Sequence, residues 1–315
     1  MNNNLPVPVH ETHNVQDATK IQTYLTCPRL YFYEYILGFR PEEPNHNLVF
    51  GSAWHMAKEV LFAQGYSIDS INKGYQAFLL EYRETFGEER DMDFHPKSPA
   101  NAELALLEYV KQYKDDDFEV IHTEIGITVP IGVGRDLYGK MDSIVRDPLR
   151  GIVSYEHKTA GALWKWWSDS WLMKFQVATY SHFLFSYYDP KEVYGIMIDG
   201  TVFRKSGNEH LRVPCQLSLP FLDNWLYDTN NTFARLEHDF DLLSETKMDD
   251  VYMKAFPRCT ESCVKYNRMC SMFDFCHSWH NPLHKNDMIP QGYKVEFWDP
   301  RKEHINTTLE LGGVK

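Results

Sequence analysis

The chain has 315 residues, 43% hydrophobic and 24% charged, enough apolar material for a packed core in one large domain or two small ones. No apolar run reaches the roughly 18 residues that a spanning helix needs, and the polar, Asn-rich start counts against a secretory signal. A net charge of −12 speaks against a nonspecific nucleic-acid coat. It leaves room for a local cationic groove, because repulsion is screened beyond roughly 8–10 Å in physiological salt.

Met1 to Gln16 reads as a loose tail, and residues 1–17 are expected to be flexible. Asp17 to Gly38 predicts two short helices broken at Cys27-Pro28, since Pro suits a first helical turn. A turn-rich stretch, Arg40 to Asn47, precedes helices over Gly51–Gln64 and Ile68–Phe86. Gly87–Ser98 reads as a loop and Ala100–Lys114 as a helix.

From Phe118 the period changes, and Val120, His122, Glu124, Ile125 and Ile127 mark a strand. Asp136–Arg146 and Gly151–His157 make two more, joined by the turn Asp147-Pro148-Leu149-Arg150, so a three-stranded antiparallel meander is predicted. Ser170–Tyr187 returns to helix, Val193–Phe203 is a strand, and Leu217–Leu243 is one long helix. Phe256–His280 is a cysteine-bearing loop region, and residues 281–315 form a C-terminal extension. No repeat and no linker is visible, which predicts one α/β domain over residues 18–280.

The meander carries the chemistry. Asp142 lies within one strand, and the next ends in Glu156-His157-Lys158. Glu156 and Lys158 project to one face, because strand side chains alternate. A short turn can bring Asp142 beside them. Two converging carboxylates bind a hard cation such as Mg²⁺, and a neighbouring lysine can orient or deprotonate an attacking water and offset charge on phosphorus. Alone, Asp followed by Glu-x-Lys is a common chance pattern on solvated sheets. Its surroundings raise its weight. His55 and Glu59 share a helical face, and a histidine ligand would favour Mn²⁺. Gln176 and Tyr180 stand in the same spacing on a later helix, as core packing or as support for the site.

Six cysteines are present. Without a signal peptide a reducing, cytoplasmic compartment is expected, and there spaced cysteines point to metal. Cys263, Cys270 and Cys276 cluster, with Cys27 far upstream. Four thiolates suit a [4Fe–4S] cluster or a structural zinc, and spacing alone does not choose. Cys259 is a spare that can replace Cys263. Cys215 reads as a buried thiol in a strand. Near Lys158 in sequence, Trp164, Trp166, Trp167 and Trp171 either stack unpaired bases or pack a helix onto the sheet, with packing favoured for at least half. Lys58, Lys140, Lys165, Lys174, Arg204 and Lys205 are candidate DNA contacts.

In combination, Cys27-Pro28 with its aromatic helix, Phe50-Gly51…His55, Gly139-x-x-Asp142, Glu156-x-Lys158 and Gln176-x-x-x-Tyr180 resemble the RecB-like branch of the PD-(D/E)xK nucleases, which includes the CRISPR-adaptation exonucleases. The resemblance spans roughly Thr19 to Cys276. It implies a restriction-endonuclease-like α/β fold, a mixed central sheet flanked by helices. It implies metal ligands at His55, Asp142, Glu156 and the His157 carbonyl, a catalytic Lys158, and support from Gln176 and Tyr180. It also implies a [4Fe–4S] cluster on Cys27, Cys263, Cys270 and Cys276 stapling the two ends of the domain. The proline of the family name is absent before Asp142, Glu156 replaces a frequent Asp, and the Cys263–Cys270 interval is longer than usual. The implied activity is DNA exonuclease action on single-stranded or frayed ends. A catalytically silent DNA-binding subunit of a recombination, repair or CRISPR-adaptation complex is the alternative. With no phosphate-binding Gly-Lys-Ser/Thr loop, any helicase is expected to be a separate partner, and no subunit interface is legible.

Overall fold

The computed structural model describes residues 5–265, 268–285 and 287–311. In chain order its helices are α1 (Ala18–Thr26), α2 (Pro28–Tyr31, continued by a π turn over Phe32–Ile36), α3 (His46–Gln64), α4 (Ile68–Arg83), α5 (Pro99–Gln112), α6 (Trp167–Ser170), α7 (Phe175–Tyr187), α8 (Leu219–Glu245) and α9 (Phe273–Ser278). The strands are β1 (Gln16–Asp17), β2 (Phe39–Pro41), β3 (Glu119–Gly132), β4 (Arg135–Asp147), β5 (Gly151–Ala160), β6 (Val193–Val202), β7 (Glu209–Cys215), β8 (Val264–Lys265), β9 (Arg268–Met269), β10 (Tyr293–Val295) and β11 (Thr307–Glu310). No helix among these residues is long and apolar enough to cross a membrane.

The contacts divide the chain into two compact units. The first holds residues 1–43, 128–139 and 223–303, and the second 44–127, 140–222 and 304–315. The range expected as one domain draws on both.

The second unit is a mixed sheet flanked by helices, the restriction-endonuclease-like arrangement. Strand order is β11-β3-β4-β5-β6-β7, with β4–β5 and β6–β7 antiparallel and β5–β6 parallel. Parallel β5 and β6 require a crossover, which α6 and α7 supply. Phe50, Ala53, Trp54, Ala57 and Leu61 recur at helical spacing on α3, and all are fully buried. They pack with Phe78 and Tyr82 of α4, Leu106 and Tyr109 of α5, and Val145, Val153 and Tyr155 of the sheet. Asn45 caps α3 by accepting from the Asn47 N–H, so this helix starts at His46, five residues before the predicted start. Ser67 caps α4 through the Ser70 N–H.

The β4–β5 turn sets the register that matters for the site. Asp147 Oδ1 accepts from the Leu149 and Arg150 N–H groups, each at 2.9 Å. Gly151 follows at φ +86°, where a Cβ would lie 2.3 Å from the Glu192 carbonyl oxygen. The ladder then runs from Asp147↔Gly151 to Ser143↔Tyr155, and the next residues on the two strands are Asp142 and Glu156.

Two local expectations change. The helix read over Ser170–Tyr187 is interrupted, because Lys174 is extended (ψ 133°) and α7 begins only after it. The tail expected over 1–17 is structured where it is described, residues 1–4 lying outside the described residues. Glu11–Asn14 form a 3-10 turn and β1 pairs in parallel with Leu137 and Tyr138, burying His13 and Gln16. In the extension predicted over 281–315, residues 286 and 312–315 lie outside the described residues, and Tyr293–Val295 pair with β2 in the first unit.

The first unit also carries the clustered cysteines. Arg29 donates to the carbonyls of Phe256 (2.8 Å) and Met253 (3.2 Å), so α2 is held to the late cysteine segment.

Candidate active site and thiol ring

Three ligand-type side chains converge in the second unit. One ligand atom each from His55, Glu124 and Asp142 lies within 4.8 Å of the other two. His55 comes from α3 and its Nδ1 lies 3.0 Å from Asp142 Oδ1. Asp142 Oδ2 accepts from the His157 backbone N–H at 2.7 Å, which ties β4 to β5 just beyond the end of their ladder. Glu156 is fully buried beside them, with Oε1 3.5 Å from the Asp142 N–H and Oε2 3.5 Å from Lys158 Nζ. Gln176 Nε2 reaches Glu156 Oε2 at 3.4 Å and Tyr180 Oη at 3.1 Å. The Tyr180 hydroxyl donates to the Lys140 carbonyl. The sequence-derived residues His55, Asp142, Glu156, Lys158, Gln176 and Tyr180 thus form one connected group.

Sequence alone places Glu124 only as part of a strand. In the structure it is a buried carboxylate with φ +46°, unusual for a residue with a Cβ, and its Oε2 lies 2.8 Å from Lys140 Nζ. The available signal was an acidic residue inside an apolar alternation, on the strand next to Asp142. Glu59, the expected companion of His55, turns instead to His304 and Asn306.

The electrostatics are those of carboxylates crowded out of water. Burial and the Asp142 charge raise Glu124 to about 7, against the pull of Lys140. Burial and Asp142 likewise push Glu156 far above the ordinary range. Burial also opposes ionisation of Asp142, but His55, Lys158 and His157 outweigh it and hold this carboxyl low. One firmly ionised carboxylate flanked by two reluctant ones is a site that a cation would complete.

The His157 ring does not join the cluster. Its Nδ1 lies 2.9 Å from Asp199 Oδ2, and burial lowers its pKa to about 4. Asp199 also accepts from Tyr109 Oη (3.0 Å) and Arg212 Nε (3.4 Å). Lys58, expected among the DNA contacts, is buried against this carboxylate. Its Nζ lies 3.0 Å from Asp199 Oδ2, an ion contact without hydrogen-bond alignment. The reason is its place on α3, on the apolar side of the helix rather than the solvent side. Lys140 is engaged by Glu124, and Arg204 pairs with Glu209 at 2.6 Å. Lys165, Lys174 and Lys205 are exposed. Of the four tryptophans, Trp167 and Trp171 meet edge to face, whereas Trp164 and Trp166 are exposed.

In the first unit, Cys27, Cys259, Cys263, Cys270 and Cys276 all line one cavity of about 150 Å³. Cys27 ends α1 and precedes Pro28, and its Sγ accepts from the Cys259 N–H at 3.4 Å. Burial, and then the charges of Cys27, Cys263 and Cys276, raise the Cys270 thiol. Cys215 is fully buried at the end of β7 in the other unit.

A mixed sheet that gathers buried acidic residues and a lysine from adjacent strands is the arrangement of a nuclease class. The family model described as the PD-(D/E)XK nuclease superfamily matches residues 18–271, and the chain belongs to that superfamily. Nucleases of this superfamily use divalent metals, and the donors present, an imidazole and crowded carboxylates, fit such an ion. A solved structure titled "Crystal structure of SSO0001" is similar at 14% identity, covering 69% of this chain and 82% of that chain, with a TM-score of 0.28. No curated protein matches the chain.

Proposed function

We propose that the chain is a metal-dependent DNA exonuclease that hydrolyses phosphodiester bonds at single-stranded or frayed ends. The observation that carries this reading is the convergence of His55, Glu124 and Asp142 within 4.8 Å, with Lys158 3.5 Å from the adjoining Glu156. His55, Glu124 and Asp142 hold Mg²⁺ or Mn²⁺, Glu156 extends the carboxylate set, and the His157 carbonyl is a further ligand by family analogy. The bound cation supplies charge neutralisation on the phosphate and a lowered pKa for water. Lys158 orients the attacking water and offsets charge developing on the phosphoryl oxygens. Gln176 fixes the Glu156 carboxylate, and Tyr180 ties α7 to β4.

The cysteine-lined cavity is read as the seat of a structural [4Fe–4S] cluster on Cys27, Cys263, Cys270 and Cys276. All five clustered cysteines line that one cavity, which supports a shared metal centre. Cys259 lines the same cavity and can replace Cys263. Iron content and near-visible absorption separate the cluster from a structural zinc. DNA is the partner, a helicase or recombination protein would be a separate subunit, and the setting is the cytoplasm of a prokaryotic or phage-infected cell.

The test is digestion of end-labelled single- and double-stranded DNA with Mg²⁺ or Mn²⁺, beside a Lys158→Ala variant. Cutting from the ends by the wild type, lowered at least about 100-fold in the variant, is the expected result. Binding without cutting by a metal-loaded wild type would replace this reading with that of a silent DNA-binding subunit.

A further inference from the structure

The segment joining the strand of Lys158 to the helix of Gln176 exposes two large aromatic rings to water. Trp164 is 52% exposed and Trp166 57% exposed. Exposed tryptophans ask for an occupant, because each leaves a wide apolar face hydrated.

What seats this segment is a glycine. Gly200 of β6 is paired in register with Lys158 of β5, so a Cβ at Gly200 would share the face of the Lys158 side chain. That hypothetical Cβ would lie 2.8 Å from the Trp167 ring, which occupies the place where a side chain would stand. Trp167 is therefore packed on the sheet one strand away from the catalytic lysine, and it is buried while its two neighbours are not. The backbone is held as well: the Trp167 N–H donates to the Trp164 carbonyl at 2.9 Å, and the Ser170 N–H donates to the Trp166 carbonyl at 3.0 Å. The two exposed rings thus flank a hydrogen-bonded turn.

Cations accompany the rings. Lys165 Nζ lies 4.6 Å from the centre of the Trp166 ring, and Lys174 is exposed at the far end of the segment. Flat aromatic faces with ammonium groups beside them match a strand of unpaired nucleotides, which offers π faces and phosphates at nucleotide spacing. A duplex does not match, because the faces of its bases are covered by their stacked neighbours.

Building on the nuclease reading, we propose that Trp164 and Trp166 form a stacking platform that takes unpaired bases of the strand being cut beside Lys158, and that it gives the site its preference for single strands. The occupant is an unpaired stretch of DNA, bound by its bases through the rings and by its phosphates through Lys165 and Lys174.

The test measures binding, so it does not depend on turnover. Fluorescence anisotropy of a labelled oligothymidylate and of a blunt duplex is read in the Lys158→Ala background with Mg²⁺, with and without Trp164→Ala and Trp166→Ala. Both rings are exposed, so their removal leaves the core intact. Each substitution is expected to weaken single-strand binding about tenfold, the duplex affinity staying within about twofold, and quenching of intrinsic tryptophan fluorescence by the oligonucleotide is lost in the double variant. Unchanged single-strand affinity in the double variant overturns the platform, and so does an equal loss for both DNA forms. A wild type that cuts nothing would sink the nuclease reading separately, while the binding result still decides the platform.

Discussion

Glu124→Gln separates the charge balance of the candidate metal site from its packing, since it removes a charge and almost no volume. In the folded protein burial and the Asp142 charge raise Glu124 from 4.5 to about 7. The folded state therefore keeps a proton that the unfolded chain has released between those values. A raised folded pKa contributes stability that is present below pH 4.5 and is lost as pH rises through 7. At about 1.4 kcal/mol per pKa unit, the metal-free protein loses about 3 kcal/mol across this window through Glu124. Gln carries no charge, so the variant escapes that loss. The ion pair with Lys140 is already contained in that shift, since its pull is one of the opposing causes. The metal-free variant should be about 3 kcal/mol more stable than wild type at pH 8 and close to it at pH 4.5. Urea unfolding in EDTA at a series of pH values reads this difference. Titration with Mn²⁺ on the same samples should show affinity falling at least about tenfold, since a ligand has gone. A variant less stable than wild type at pH 8, with metal affinity unchanged, would refute the placement of Glu124 as a strained ligand.

Metal uptake should release protons, because Glu124 and Glu156 are both raised and must ionise to coordinate. Affinity should climb as pH rises through about 7, and calorimetry in two buffers of different ionisation enthalpy should differ by the protons released. Asp199→Ala leaves Lys58 buried without its counter-ion and His157 without its partner, so a loss of about 3–5 kcal/mol is expected in denaturant unfolding. Gly151→Ala meets both a positive φ and the Glu192 carbonyl, and should cost about 1–3 kcal/mol while shifting the β4–β5 register that aligns Asp142 with Glu156. A Gly151→Ala protein with wild-type stability and metal affinity would show that the turn has slack that the backbone geometry denies.

The sequence by itself carried the local order of this protein. Strands read over 120–127, 136–146 and 151–157, with a turn at 147–150, determined a meander and which face Glu156 and Lys158 share, because side-chain direction in a strand depends only on parity. The spacing of His55 on α3 and of Gln176 and Tyr180 on α7 was equally readable, since helical faces repeat without help from distant contacts. What spacing could not determine was which polar residues would be walled in. Glu124 and Asp199 look like solvent-facing residues in one dimension. They become buried, shifted carboxylates only when β3 and β6 take their places beside β4 and β5, where water is excluded and Lys140, Lys58 and His157 must answer their charge. Lys58 shows the same limit in reverse: a lysine read as a DNA contact is held in the core by a carboxylate 141 positions away. The five thiols share one cavity for a similar reason, since Arg29 binds the carbonyls of a segment more than two hundred residues downstream. Pairing across such separations is a property of the folded chain, and only the tertiary structure decided it.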